Sequence, residues 1–277
     1  MGLTIYENEI CVGAEKPFEI IHLSDIHLNF SDYRDRDEIR VLSAKRKIKY
    51  PAGYDALMQA GEISDEKGIP IISTGDLCDF ISEKNLEVIK EFTSVHKGYY
   101  APGNHDFRVS GGMEFDTPEV REKSFDKVQK SYPNTLASFS FVINGVNFVL
   151  LDDVYYRFEK HQIDFLKNEV AKGLPVVIAM HIPFYEEGLY IKTSRNLQRH
   201  ASLVCVPRDK MTCYKPERIE QQIEDEPTRE MFDYILSEPM IKCLLTGHSH
   251  KDHEAMLSGN LMQFTTGLNT IRKIKFY

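Results

Sequence analysis

Five short apolar runs in this chain end alike, each in a side chain able to hold a metal or carry a proton. Phe18–Leu23 (FEIIHL) runs into Asp25-Ile26-His27, and Ile69–Ser73 (IPIIS) into Gly75-Asp76. The weaker run Val95–Ala101 meets Gly103-Asn104-His105-Asp106. Pro175–Met180 (PVVIAM) meets His181, and Ile241–Leu245 meets Gly247-His248-Ser249-His250. Short β-branched runs bounded by turns predict buried strands. Helical patterns lie between them. Ser82 is placed to cap a helix carrying Leu86, Ile89 and Phe92. Ile163, Leu166 and Val170 share a face that Gly173 and Pro175 terminate, and Pro227 opens a segment with Met231 and Ile235 on one side. Strands alternating with helices predict an α/β fold with mainly parallel pairing.

One stretch departs from that plan. In FSFVINGVNFVLLDD two β-rich runs flank Asn144-Gly145, a strong signal for a two-residue hairpin, so the sheets are expected to be mixed. Leu261–Phe276 reads as a further antiparallel pair. Residues 184–226 lack strong periodicity and are too long for a plain connection, which marks a functional or mobile insertion. No repeat or linker divides the chain, and 1–277 reads as a single domain.

Bulk properties narrow the compartment and the partners. No apolar run is long enough to span a bilayer, and MGLTIYENEI lacks a basic region followed by an apolar stretch. Tyr6 stands where a myristoylation motif following Gly2 needs Ser or Thr. The 5 cysteines are scattered and odd in number, which fits a reducing compartment. The expectation is a soluble, cytoplasmic protein without a membrane partner. A net charge of −8 counts against nucleic acid as the target.

Ligands of α/β sheets gather at the carboxyl ends of strands. Three of the strand-end groups, Asp76, Asn104 and His248, directly follow a glycine, which lets the backbone turn tightly beside a crowded site. Taken singly, each group has a plainer reading. Asp25 or Asp76 would cap a helix, His181 would be a hydrogen-bonded core histidine, and His105-Asp106 would be a turn. Taken together, Asp25, His27, Asp76, Asn104, His181, His248 and His250 are too many for one four-coordinate zinc. Two ions about 3.5–4 Å apart, bridged by a carboxylate, would use them all. Oxygen and nitrogen donors without cysteine suit manganese, iron, zinc or cobalt.

The order D-x-H, GD, GNHD, H, GHSH, spanning Asp25 to His250, resembles the calcineurin-like metallophosphoesterase superfamily. The resemblance implies a four-layer αββα sandwich, two mixed β-sheets packed face to face with helices outside. It implies that Asp25, His27, Asp76 and His250 hold one metal, and that Asp76, Asn104, His181 and His248 hold the other. His105 would stand beside the site without binding metal, and Asp106 would orient its ring. Two divalent or mixed-valence ions, of Mn, Fe or Zn, would then generate a bridging hydroxide for in-line hydrolysis. His105, its pKa raised by a neighbouring carboxylate, would protonate the leaving oxygen.

LSDIH, GDLCD, GNHD, HIP and GHSH resemble the bacterial branch that hydrolyses small-molecule phosphodiesters. A serine/threonine protein phosphatase is disfavoured by Phe80-Ile81 after Asp79 and by Asp106 in place of Glu. A DNA-repair nuclease is disfavoured by the acidic charge. A non-catalytic scaffold is disfavoured by retention of all seven candidate ligands. Of the other polar residues, His22 is expected in the core, and His96, His161 and His200 at the surface or in loops. His253 is expected behind the ligands or in solvent. Asp79 is expected to support the Asp76 loop, and Asp152 or Asp153 to face the cavity. The basic, Tyr-bearing segment Gly188–Lys215, with Lys192, Arg195, Arg199, Arg208, Lys210 and Lys215, reads equally as a phosphate-binding loop or a solvated one. The basic segment Asp32–Lys49 reads as a rim.

Overall fold

A computed structural model describes residues 3–110, 117–194 and 200–277. Two mixed sheets form the centre. The first has the order β1 (Thr4–Ile10), β11 (Thr270–Phe276), β2 (Phe18–Leu23), β3 (Ile71–Ser73), β4 (Gly98–Tyr100). In it β11 runs parallel to β1 and antiparallel to β2, while β2, β3 and β4 are parallel. The second has the order β5 (Ser138–Ile143), β6 (Val146–Leu151), β7 (Val176–Ala179), β8 (Ile241–Thr246), β10 (Leu261–Thr265), β9 (His253–Ser258). Its centre, β6 through β8 and β10, is parallel, and both edges are antiparallel.

The four layers follow from side-chain alternation, because successive residues of a strand face opposite sides. Ile20 and Ile72 of the first sheet meet Phe148, Leu150, Val177, Ala179, Cys243 and Leu245 of the second in a core between the sheets. Their neighbours Ile21 and Ile71 face a helical core with Leu57 of α2 (Gly53–Lys67) and Ile89 of α3 (Glu83–Val95). On the far side Val149, Val176, Ile178 and Leu244 pack with Ile163 and Leu166 of α5 (Lys160–Val170) and Met231 and Ile235 of α8 (Glu226–Ser237). Strands buried on both faces explain why their sequences read as unbroken apolar runs.

The expected punctuation is present. Ser82 Oγ accepts the Asn85 N–H at 3.0 Å to cap α3. Asn144 and Gly145 adopt φ 45° and 78°, which the right-handed twist of a two-residue hairpin requires. One expectation fails: Leu261–Phe276 is not a hairpin. Strand β10 joins the second sheet and β11 the first, and the turn between them crosses from one sheet to the other. Two β-rich runs with a short connection satisfy either arrangement, and only the choice of partner strand separates them.

Residues 184–226 also prove more organised than a plain loop. They contain α6 (Glu187–Ser194), α7 (Pro216–Gln222) and a small core of Leu189, Ala201, Leu203, Val206, Met211 and Tyr214. Asp32–Lys49 contains α1 (Asp37–Lys49), which buries only Ile39. Arg195 and Arg199 lie outside the described residues.

Leu245 is fully buried where the two sheets face one another. Leu245→Ala should cost about 2–5 kcal/mol, read as a lower urea midpoint at an unchanged slope. A loss under about 1 kcal/mol would place this contact outside the structural core.

Candidate metal centre

Six of the seven candidate ligands, Asp25, His27, Asp76, His181, His248 and His250, come together past the carboxyl ends of β2, β3, β7 and β8, where the two sheets touch, and Asn104 stands past the end of β4 beside Gly103. The His181 N–H at Nδ1 meets the Thr74 carbonyl at 2.7 Å, from one sheet to the other. The His248 backbone N–H donates to Asp25 Oδ2 at 2.8 Å across the same seam. Glycine is needed here for want of space. A Cβ on Gly247 would stand 1.7 Å from Ser24 Oγ, and one on Gly103 would stand 2.2 Å from Asp76 Oδ1. Five of the seven residues have left-handed backbone: Asp25 (φ 54°), His27 (51°), Asp76 (55°), His248 (60°) and His250 (55°). Such conformations cost L-residues energy and persist where the surrounding structure over-determines them, most often at functional sites.

In one pocket, Asp25, His27 and His250 bring ligand atoms within 4.8 Å of one another; in a second, Asp76, His181 and His248 do the same; and a third such group, on the far side of His27, joins it to Asp79 and His105. His27 Nε2 lies 2.9 Å from His250 Nε2 and 3.8 Å from Asp76 Oδ2, and His181 Nε2 lies 3.3 Å from that same oxygen. Asp76 therefore stands between the pockets, as the bridging role requires. Asp25 and Asp76 divide their oxygens alike. One oxygen of each accepts a backbone N–H, from His248 and His105 respectively, and the other faces imidazole nitrogens.

Several observations fit a cation pair. Asp25 Oδ1 and Asn104 Oδ1 are buried without a hydrogen-bond donor. Two imidazole nitrogens point at each other at hydrogen-bond distance. Burial works against charge on His27 and His181, yet the surrounding carboxylates outweigh it and push them up to about 9 and about 10. Burial likewise opposes ionisation of Asp25 and Asp76, but the histidines hold both below the ordinary carboxylate range. A buried negative field of this kind, lined by neutralisable donors, suits divalent ions.

The structure reassigns one carboxylate. Asp106 does not orient His105. It accepts the backbone N–H of Asp76 (2.9 Å), Gly103 (2.8 Å) and Cys78 (3.1 Å) and the Tyr132 hydroxyl (3.2 Å), and so braces the Asp76 loop. The carboxylate beside His105 is Asp79, 2.9 Å from Nδ1, whose own backbone carbonyl also accepts from Nδ1 at 2.9 Å. The reason is register: Asp106 is turned inward by its short helical turn, while Asp79 meets the ring edge at Nδ1. Nor is the His105 pKa raised. Burial lowers it, and Asp76 and Asp79 only partly oppose that.

Other expectations hold in part. His22 is fully buried between the Thr74 and Thr266 hydroxyls. Asp153 accepts the His181 and Ile182 N–H groups, Asp152 pairs with Arg121, and His253 pairs with Glu186 at 2.8 Å. In the basic loop, Tyr190 and Tyr214 spend their hydroxyls on backbone carbonyls, Lys210 pairs with Glu187, and Lys192 meets the Asp252 carbonyl. Sequence reasoning missed Tyr156, whose hydroxyl lies 3.0 Å from His248 Nε2 from a backbone at φ 68°. It also missed Arg46. Neither belongs to a motif, and only the Tyr155-Tyr156 position just past Asp153 hinted at proximity.

The αββα sandwich, with carboxylate–imidazole clusters at its sheet seam, fits the metallophosphoesterase class that the motifs resemble. The chain belongs to the calcineurin-like phosphoesterase family, whose sequence pattern matches residues 18–252. Among solved structures it is similar to a dimetal phosphatase from Danio rerio, with 13% identity, 91% of this chain and 88% of that chain covered, and a TM-score of 0.52. It is also similar to a purple acid phosphatase from yellow lupin, Lupinus luteus, with 13% identity, 94% of this chain and 44% of that chain covered, and a TM-score of 0.51. These likenesses are of fold. No curated protein sequence matches the chain. Among the described residues no helix is long and apolar enough to cross a membrane.

Asp106→Ala removes the acceptor for three backbone N–H groups and a hydroxyl. It should cost at least about 2 kcal/mol in denaturant titration and weaken divalent-ion binding. Wild-type stability together with wild-type ion affinity would rule out the bracing role.

Proposed function

We propose that the chain hydrolyses a small-molecule phosphoester, a phosphodiester in preference to a monoester. In this reading 1–277 act as one domain, with 184–226 as an insertion beside the site. Asp25, His27, Asp76 and His250 hold one ion, and Asp76, Asn104, His181 and His248 the other, with Asp76 shared. The observation that carries this is the position of Asp76 Oδ2 between His27 and His181. Bound there, two divalent cations supply an activated water and neutralise the phosphoryl oxygens.

The chain's own residues do the rest. His105 does not take part in either pocket. Its Nδ1–H is held by the Asp79 carbonyl, with the Asp79 carboxylate beside it, which leaves Nε2 to face the leaving oxygen; giving that oxygen a proton requires the imidazolium form, which burial opposes and Asp76 and Asp79 favour. Asp79 itself is kept ionised: burial opposes this, but Arg46, His105 and His27 more than compensate. The preference for a diester is supported by the GDLCD and GNHD forms of the motifs, with Phe80-Ile81 and Asp106 where a protein phosphatase carries other residues.

The test compares bis-p-nitrophenyl phosphate with p-nitrophenyl phosphate on protein reconstituted with Mn, Fe or Zn, with cyclic nucleotides, a phosphopeptide and single-stranded DNA alongside. Faster turnover of the diester is expected, and chelation should abolish it. A clear monoester preference would overturn the diester assignment. His105→Ala should keep both ions and lose roughly 10²–10⁴-fold in kcat; full activity would remove His105 from the reaction.

A further inference from the structure

Helix α1 is tied to the metal centre by side chains outside every motif. It buries only Ile39, so apolar packing does little to place it. Arg46, in its last turn, donates through Nε to Asp79 Oδ2 and through Nη2 to Asp79 Oδ1. Asp79 has no exposed side-chain surface, and the Arg46 side chain is only 19% exposed. The same Oδ1 lies 3.2 Å from His27 Nδ1 and 2.9 Å from His105 Nδ1. One carboxylate thus faces both a candidate metal ligand and the candidate proton donor.

Tyr50 completes the arrangement. Its backbone N–H closes α1 on the Arg46 carbonyl at 2.8 Å, and its ring stacks on His27 at 4.4 Å and 11°. The Arg46 guanidinium sits 4.8 Å from the Tyr50 ring centre. Asn29 donates to both the His27 and the Tyr50 carbonyls, at 3.2 and 2.9 Å. The His27 ring is therefore stacked on its face by Tyr50, while its far nitrogen lies in ion-pair contact with Asp79 Oδ1 without a hydrogen bond.

We propose that Arg46 is a positioning residue of the metal centre. By engaging both Asp79 oxygens it fixes the plane of that carboxylate, and through it the rotation of His27 and His105. Partners behind metal-binding histidines set ring orientation and basicity. A planar guanidinium holds two oxygens at once, which an ammonium does not do. The inference rests on the reading of His27 as a ligand and His105 as the proton donor.

The experiment uses the full chain. Arg46→Gln and Arg46→Lys are compared with Arg40→Ala, a change on the same helix at a surface pair with Asp37. Manganese is titrated calorimetrically into metal-free protein, and kcat and KM are measured on bis-p-nitrophenyl phosphate. Arg46→Gln should weaken one of the two ions and lower kcat, each by roughly 10–100-fold, with KM within about twofold. Arg46→Lys should restore only part of the loss, and Arg40→Ala should match wild type.

Wild-type ion affinity and kcat in Arg46→Gln would overturn the proposal, as would equal losses in Arg46→Gln and Arg40→Ala. If Arg46→Gln fails to fold, Arg46→Lys decides: full wild-type ion affinity and kcat in that variant overturn it. Should the wild type hydrolyse no phosphate ester, the proposed function falls, while the manganese titration still reads Arg46.

Discussion

The site exists because two sheets are allowed to touch at one end. At Gly247 against Ser24 and Asp25 there is no room for a side chain, and the contacts from His181 to Thr74 and from His248 to Asp25 run directly between the sheets. Ligands for each pocket arrive from both sheets, so the spacing of the donors is set by the same apolar layer that holds the sandwich together. Packing between sheets and geometry at the metals are therefore one variable. The left-handed residues at the strand ends are tolerated for the same reason: well-hydrogen-bonded strands hold the turns that carry them.

Electrostatics then sorts the acids. Asp25, Asp76, Asp79, Asp106 and Asp153 are all buried, and burial of a carboxylate costs several kcal/mol unless it is compensated. Backbone N–H groups offset burial only in part at Asp106 and Asp153, whose pKa values stay raised, whereas an arginine and two histidines more than offset it at Asp79. Asp25 and Asp76 each keep one oxygen among imidazoles. The acids with fixed protein donors build the frame, and the two left facing neutralisable nitrogens are the ones suited to cations. This division follows from partners rather than from position in a motif. Asp106, inside GNHD, braces backbone; Asp79, three residues beyond Asp76, is the one that contacts His105.

Much of this was legible in the sequence because strands buried on both faces leave continuous apolar runs, and a polar residue at the end of each is conspicuous. Phe18–Leu23 with Asp25 and His27, and PVVIAM with His181, are examples. The Asn144-Gly145 hairpin was legible because its backbone demands φ above zero. Three things were not. The split of β10 and β11 between sheets depends on distant partners, His22 and Ile20 among them, that no local pattern encodes. The exchange of roles between Asp79 and Asp106 depends on which way a short helical turn faces. Arg46 and Tyr156 act through contacts spanning 33 and 92 residues, so neither leaves a spacing to detect.

The placement of β11 has a bearing on how the molecule assembles. Drawn from the far end of the sequence, it lies between β1 and β2, and Phe276 and Ile274 fill the layer between the sheets. During synthesis β2, β3 and β4 can zip together early, yet β1 has no strand neighbour until β11 has been made. Closure of the sandwich is thus a late, long-range event, the slow kind of step for a growing polypeptide. Until β11 is in place, the side chains that Ile274 and Phe276 cover in the layer between the sheets lack those partners.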